Sequence, residues 1–496
     1  MREFLSAFRP RSMSGEGVST SSITRGGSTS RSRARRSTAV LAVALLSILT
    51  ACGGGGGDDN QGSGGGTLTV WTLENLPDRM AAQQKIADAF TKETGVKVKL
   101  VGIAEDQYSQ LLTSAAAAGK LPDVIGALSL AGVRELAVND LSNSDVAEAV
   151  VKDLGPDTFS QQALELTADG DEQLSVPRDA WVQLLVYRKD LFEKAGLPAP
   201  ETYDDIMNAA KKLNSADVAG FVGANVANDA FTEQTFEHLA LANNCEMVDD
   251  SQKVVLDSPE CAESFGFYGD LLQNYSVKGT QDVDTTRASY FAGKAAMVIW
   301  SSFILDELAG LRNDALPTCP ECKSDKTWLA KNSGVVTALQ GPGGDEPAQF
   351  GEVVSWVATA DADEDAAEKF IRYMMDGQPY LDWIGFAPEG KIPARQGTAD
   401  DPTKYIDAWG TLPAGVDTKA PLSDFYDAQV LDALKTSPDT IQRWALTQGA
   451  GALLGATLSE LPVAQEVNKV TTGQVTGDQA AKEAQDAVTQ IQDDLG

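Results

Sequence analysis

Between residues 67 and 128 strand-like and helix-like segments alternate in an order that few architectures accommodate. Thr67-Leu-Thr-Val-Trp71 is β-branched and apolar, 78–94 carries Met80, Ala81, Ile86, Ala89 and Phe90 at helical spacing, and 96–101 alternates again as a strand. Strand, helix and strand in that order make a βαβ unit, which lays its two strands parallel under a covering helix. A second helix is predicted over 108–118, broken by Gly119 and Pro122, and Val124 to Leu128 reads as a buried strand. Farther on come a strand over 182–187 and a helix over 189–195, stopped by Gly196 and Pro198. More helices are predicted over 202–213, 231–242, 259–274, 285–292, 362–375 and 478–495. The class is therefore α/β, with a mainly parallel sheet under helices.

The N-terminal segment has a different character. Arg31, Arg33, Arg35 and Arg36 precede an apolar run from Thr38 to Leu49, which ends in Leu49-Thr-Ala-Cys52. That run is too short for the roughly 20 residues of a permanent membrane helix, and small residues precede the cysteine as a cleavage site requires. Residues 1–51 are thus predicted to be a lipoprotein signal peptide, with Cys52 the lipid attachment point. The Gly/Ser/Asp-rich stretch 52–66 reads as a flexible tether. The membrane is touched through the lipid alone.

Charge narrows the partners. The segment 1–51 holds eight arginines and two glutamates, a net +6, so the remaining 445 residues carry −37 against −31 for the whole chain. A surface so acidic repels phosphate backbones, which excludes nucleic acid. With Cys52 lipidated, Cys245, Cys261, Cys319 and Cys322 remain, an even number in an extracytoplasmic chain. Three pairings are open, and proximity favours Cys245 with Cys261 and Cys319 with Cys322. A zinc site is disfavoured because the first two lie 16 residues apart and His238 is the single histidine. No metal and no cofactor are expected.

One longer motif then stands out. Phe291-Ala-Gly-Lys-Ala-Ala-Met-Val-Ile-Trp300 resembles the helix-to-strand signature of extracellular solute-binding proteins of carbohydrate ABC importers, the group that includes maltose-binding protein. In the family's order stand Gly119-Lys-Leu-Pro-Asp-Val124, the run from Tyr187 to Pro198, Ala366 to Met374, and Gly390-Lys-Ile-Pro-Ala-Arg395. The resemblance covers nearly all of the chain after the tether. It implies a two-lobed periplasmic-binding-protein-like (type II) fold with a ligand cleft between the lobes. Lobe one is expected at 67–176 plus about 357–410, and lobe two at 178–350 plus about 411–496. A monomer that captures a sugar and hands it to permease subunits of an ABC transporter follows from the same resemblance.

Sugars present hydroxyls at their edges and C–H patches on their faces, so their binders need aromatic platforms beside bidentate polar groups. Trp71 ends the first strand, where a doubly wound sheet presents ligand loops, and Glu74 and Asn75 follow it. Ser129 follows the strand ending at Leu128. Trp181 lies just past the expected first crossover, where the resemblance places a ligand contact. Position 188 is Arg where the family commonly has Asn. After Trp300 come Ser301, Ser302 and Phe303, in the places of the family's usual Gly, small residue and aromatic platform, so Trp300 or Phe303 is the expected stacking residue. Trp383 and the Arg395 of the Pro-x-Arg motif complete the candidates. Trp328, Trp356, Trp409 and Trp444 are read as packing residues. Two other readings compete with sugar capture. A binder of a cationic small molecule such as a polyamine would suit the aromatic and acidic residues. A secreted glycosidase needs two carboxylates at fixed separation, but the order of motifs speaks against it and no Gly-x-Ser-x-Gly signature is present.

Overall fold

A computed structural model describes residues 66–104 and 107–495. The signal peptide, Cys52 and the tether as far as residue 65 lie outside the described residues. The predicted βαβ unit is present: β1 (Thr67–Thr72), α1 (Pro77–Thr94) and β2 (Lys97–Gly102), with β1 and β2 parallel. Pro77 opens α1 where its missing N–H costs no helical bond, and Gly95 closes it in the left-handed conformation at φ 79°. Next come α2 (Tyr108–Ala117) and β3 (Val124–Leu128), which lies parallel to β1 on its other side. Two helices without a sequence expectation follow, α3 (Leu130–Val138) and α4 (Ser144–Leu154).

The strand predicted over 182–187 is longer than expected. β4 runs from Val176 to Arg188, 13 residues buried along nearly their whole length. Pro177 and the charged pair Arg178-Asp179 hide its first half from a reading of apolar runs. The chain continues through α5 (Lys189–Ala195), α6 (Tyr203–Leu213), α7 (Ala230–Ala242), α8 (Pro259–Tyr275), α9 (Val283–Phe291), β5 (Met297–Ser301) and α10 (Ile304–Leu308). It then forms β6 (Ser333–Val336), β7 (Gln349–Ala358), α11 (Glu364–Met374), α12 (Gly377–Ile384) and β8 (Ile392–Pro393). The last labelled elements are α13 (Ala428–Thr436), β9 (Ile441–Gln442), α14 (Gly451–Glu460), α15 (Pro462–Thr471) and α16 (Gly477–Leu495).

All nine labelled strands join one sheet network, and β4 is its pivot. Residues 176–182 of β4 pair antiparallel with β7, and Asp179 and Ala180 also pair with β8. From Gln183 to Arg188 the same strand pairs instead with β5 and β6. β7 pairs onward to β3 through residues 355–358, which ties the pivot to the βαβ unit. One half of the sheet therefore reads β2-β1-β3-β7-β4-β8 and the other β5-β4-β6. Helices α15 and α16 cover α8, α15 also packs on α7, and α14 reaches back to α3.

The structure contains disulfides Cys245–Cys261 and Cys319–Cys322, the pairs nearest in sequence. Trp356, Trp409 and Trp444 are buried and Trp328 is half-buried. Among the described residues no helix is long and apolar enough to cross a membrane.

Candidate functional site

The site grows from the point where β4 changes partners. Side chains along a strand alternate between faces, so Asp179, Trp181 and Gln183 share one face of β4. Trp181 stands opposite Glu352 of β7, and Gln183 opposite Ser301 of β5. The Trp181 ring lies 5.9 Å from that of Phe350, tilted by 54°. Gln183 is fully buried, yet neither its amide nitrogen nor its amide oxygen has a partner. Buried polar groups are nearly always satisfied, so such an orphan beside an aromatic ring is the mark of a place meant for something else.

Around this face the structure gathers further unpartnered groups. Asp179 accepts from the Trp383 indole N–H at 2.9 Å and from Arg178 Nε through one carboxylate oxygen, while its other oxygen is unused. The Arg178 guanidinium stacks 3.8 Å from the Trp383 ring centre, and its two terminal nitrogens have no partner. Ser302, just past β5, is buried with an unbonded hydroxyl. Asp306 on α10 leaves both carboxylate oxygens unbonded, and Glu389 leaves one. Burial raises Asp306 well above the usual carboxylate range, and the nearby charges of Glu389 and Glu307 push the same way. Glu389 is raised as well, first by burial.

The other flank is a buried chain of charges. The Leu130 amide at the start of α3 donates to Glu352 at 2.7 Å, and Glu352 accepts from Arg443 at 2.6 Å. Arg443 also donates to Glu237 of α7 at 3.1 Å, and its guanidinium lies 4.7 Å from the Phe350 ring centre. This line runs from a helix on one half of the sheet, across β7, to a helix on the other. Two non-glycine residues beside it take positive φ: Ala127 before α3 (63°) and Ala445 just after Arg443 (64°). Backbone held in that region costs of order 1 kcal/mol or more each and concentrates at functional sites.

The structure places the sequence-predicted residues unequally. Trp181 and Trp383 come to the pivot, and Phe303 follows Ser302, whose amide donates to the Val182 carbonyl. The Phe303 ring packs against Gly390, where a Cβ would sit 2.1 Å from a ring carbon, so the close approach favours glycine. Glu74 is buried and bridges Arg79 and Lys391. Ser129 caps α3 through the Gly132 amide and so borders the site. Trp71 packs half-buried against the core from β1, and Asn75 donates to the Ile103 carbonyl. Trp300 faces away from Gln183, its indole N–H bonded to the Val283 carbonyl at 3.0 Å. Arg395 is tied into its surroundings: it donates to the carbonyls of Met375 and Leu154, to Thr158 and to Asp376. Sequence reasoning missed Gln183, Asp306, Glu389, Glu237, Glu352 and Arg443. A single polar residue, Gln183, in the otherwise apolar run Ala180 to Val186 was the readable signal for it.

Long strands shared by two halves, with polar side chains converging where they cross, define a two-lobed binding protein. Residues 74–376 match the family described as bacterial extracellular solute-binding protein. The chain belongs to that family, which works outside the cytoplasm. It is 28% identical over 347 residues to YcjN of Escherichia coli K12, which is named as an ABC transporter periplasmic-binding protein; the match covers 68% of this chain and 76% of YcjN. Among solved structures, the GacH receptor of Streptomyces glaucescens, determined with and without acarbose, aligns at TM-score 0.65 and 19% identity over 86% of this chain and 98% of its own. A sugar transporter protein of Arthrobacter chlorophenolicus with bound laminaribiose aligns at 0.65 and 18% over 86% and 99%. Maltose-bound MalE3 of T. maritima aligns at 0.64 and 19% over 86% and 99%. At these identities the likeness establishes the two-lobed fold.

Proposed function

We propose that this chain is the sugar-capturing subunit of an ABC importer, anchored outside the cell by lipid on Cys52 and acting as a monomer. The observation that carries the reading is the pivot itself: orphaned hydrogen-bonding groups of Arg178, Asp179, Gln183, Ser302, Asp306 and Glu389 beside Trp181, Phe303 and Trp383. Donors and acceptors of both kinds beside flat rings are what a polyol requires. Sugar or oligosaccharide ligands in the names of the structural relatives support the same class. The lobes are proposed at 67–176 plus about 357–410 and at 178–350 plus about 411–496, with α14 reaching across to α3. Ligand contacts to both lobes favour the closed state, and the permease subunits read that shape. A polyamine or similar cation is the second reading, favoured by the unbonded carboxylates of Asp306 and Glu389.

The test is a thermal-shift panel of mono- and oligosaccharides with polyamines as the counter-set. A ligand that binds only the native state at 1,000 times its Kd adds about 4 kcal/mol of stability. Stabilisation by a sugar that is recovered unchanged supports capture. Stabilisation by polyamines alone, or release of product from the sugar, refutes it.

A further inference from the structure

The half of the sheet formed by β5, β4 and β6 ends at β6, and the outer edge of that strand is open. The Arg188 amide donates to the Ala296 carbonyl, so even-numbered residues of β4 turn toward β5 and odd-numbered ones toward β6. Tyr187 and Leu185 therefore exchange bonds with Gly334 and Val336, and the N–H and C=O groups of Val335 and Thr337 project the other way. Among the described residues these groups have no partner. Edge strands are usually guarded by charge, proline or a bulge, because an open edge is a template for another chain. Ser333-Gly-Val-Val-Thr-Ala338 has neither charge nor proline, and its pairing with β4 runs without a bulge.

A cavity of about 440 Å³ runs along this edge, with residues 333–338 and Gln340 on one side and Phe425, Tyr426 and Val430 on the other. The Tyr187 ring covers Gly334, where a Cβ would sit 2.2 Å from a ring carbon. Tyr426 is fixed in the wall by donating to the Leu305 carbonyl at 2.6 Å. At one end of the cavity the chain already pairs with itself: the Gln340 amide donates to the Glu201 carbonyl and the Tyr203 amide to the Gln340 carbonyl, as a parallel bridge. The cavity is distinct from the pivot, since Tyr187 stands four residues along β4 from Gln183, roughly 13 Å at the rise of a strand.

Charge selects the occupant. Glu201 and Asp427 line the cavity, and Lys189 is the single basic residue there. Burial, then the charges of Asp427, Glu201 and Glu193, raise the Tyr187 phenol above its usual range. A second copy of so acidic a chain is repelled, and residues 52–66 hold two aspartates and no basic residue. We propose that this groove takes an extended segment of a partner protein as an added strand on β6, with lysine or arginine at alternate positions. Its backbone pairs with Val335 and Thr337, its basic side chains meet Glu201 and Asp427, and its intervening apolar side chains lie against Phe425 and Val430. The proposal is independent of what the pivot captures.

The probe is the end-blocked peptide Lys-Val-Lys-Val-Lys-Val, titrated by calorimetry into the full chain at about 150 mM salt, where long-range attraction is screened. Lys-Pro-Lys-Pro-Lys-Pro keeps the charge but loses the strand's amides, and Glu-Val-Glu-Val-Glu-Val keeps the strand but reverses the charge. The first peptide is expected to bind at least tenfold more tightly than either control. Val335→Pro removes an N–H that serves no bond within the sheet; it should abolish that preference while leaving the melting temperature within 3 °C of wild type. Should this variant fail to fold, amide exchange of the wild type decides: saturation with the peptide should slow Val335 and Thr337 at least tenfold. Equal binding of the proline peptide, or unchanged exchange at these two amides, would overturn the proposal. Protection of the same amides by self-association, seen as a dimer in sedimentation without peptide, would overturn it in favour of a second copy.

Discussion

Replacing Arg443 with leucine isolates the charge chain that joins the two halves of the molecule. Both of its ion pairs are almost entirely removed from solvent, with side-chain exposure of 1% for Arg443, 1% for Glu237 and 4% for Glu352. Loss of one partner of a buried pair leaves uncompensated charge and costs about 3–5 kcal/mol. At roughly 2–4 °C per kcal/mol for a lobe-sized unit, Tm should fall by about 6–20 °C at neutral pH. The loss should also depend on pH. Burial already raises Glu237, and Arg443 opposes that rise; without the guanidinium the folded value climbs further. A carboxyl raised in the folded state contributes stability that is fully present below its unfolded value and is lost as pH rises through the folded value. The gap between Arg443→Leu and wild type should therefore be widest above pH 7 and close as pH falls toward 5, in thermal melts across that range. Arg443→Lys should recover part of it. A gap under 1 kcal/mol, or one constant from pH 5 to 8, would refute the idea that this chain is ionised and mutually dependent.

Arg395→Ala removes a buried guanidinium that binds two carbonyls, so stability should fall by about 2–4 kcal/mol while ligand affinity changes less than threefold; chemical denaturation and calorimetry separate the two. Replacing Cys245 and Cys261 together with serine opens a loop of 16 residues, with an expected loss of about 3 kcal/mol in denaturant titrations. Cys52→Ser should move the protein from the membrane fraction to the medium or the soluble extracytoplasmic fraction. Equal distribution of the two forms would remove the lipid anchor.

The parts of the fold with a regular period were legible from the residues alone. Helix α5 has the bounds its periodicity predicted, and α1 begins one residue earlier because Pro77 serves as its first residue. The first half of β4 was not legible, since Pro177, Arg178 and Asp179 look like a loop until Trp383 and Tyr380 are seen to bond that segment. Candidate residues chosen for aromatic character divided by strand parity. Trp181 shares the face of Gln183, whereas Trp300, opposite Leu184, is turned to the Val283 carbonyl. Glu237 and Arg443 are 206 positions apart in sequence, and only the packing of α7 against β7 gives them a common environment. Arg395 stands in the Pro-x-Arg motif, and its guanidinium is spent on the carbonyls of Met375 and Leu154, on Thr158 and on Asp376.

Small-angle X-ray scattering of the full chain, with and without the sugar that stabilises it most, bears most directly on capture by hinge closure. Hinge closure makes the radius of gyration smaller on saturation and leaves it unchanged with a non-binding sugar. Tight binding with an unchanged radius would contradict closure around the β4 pivot.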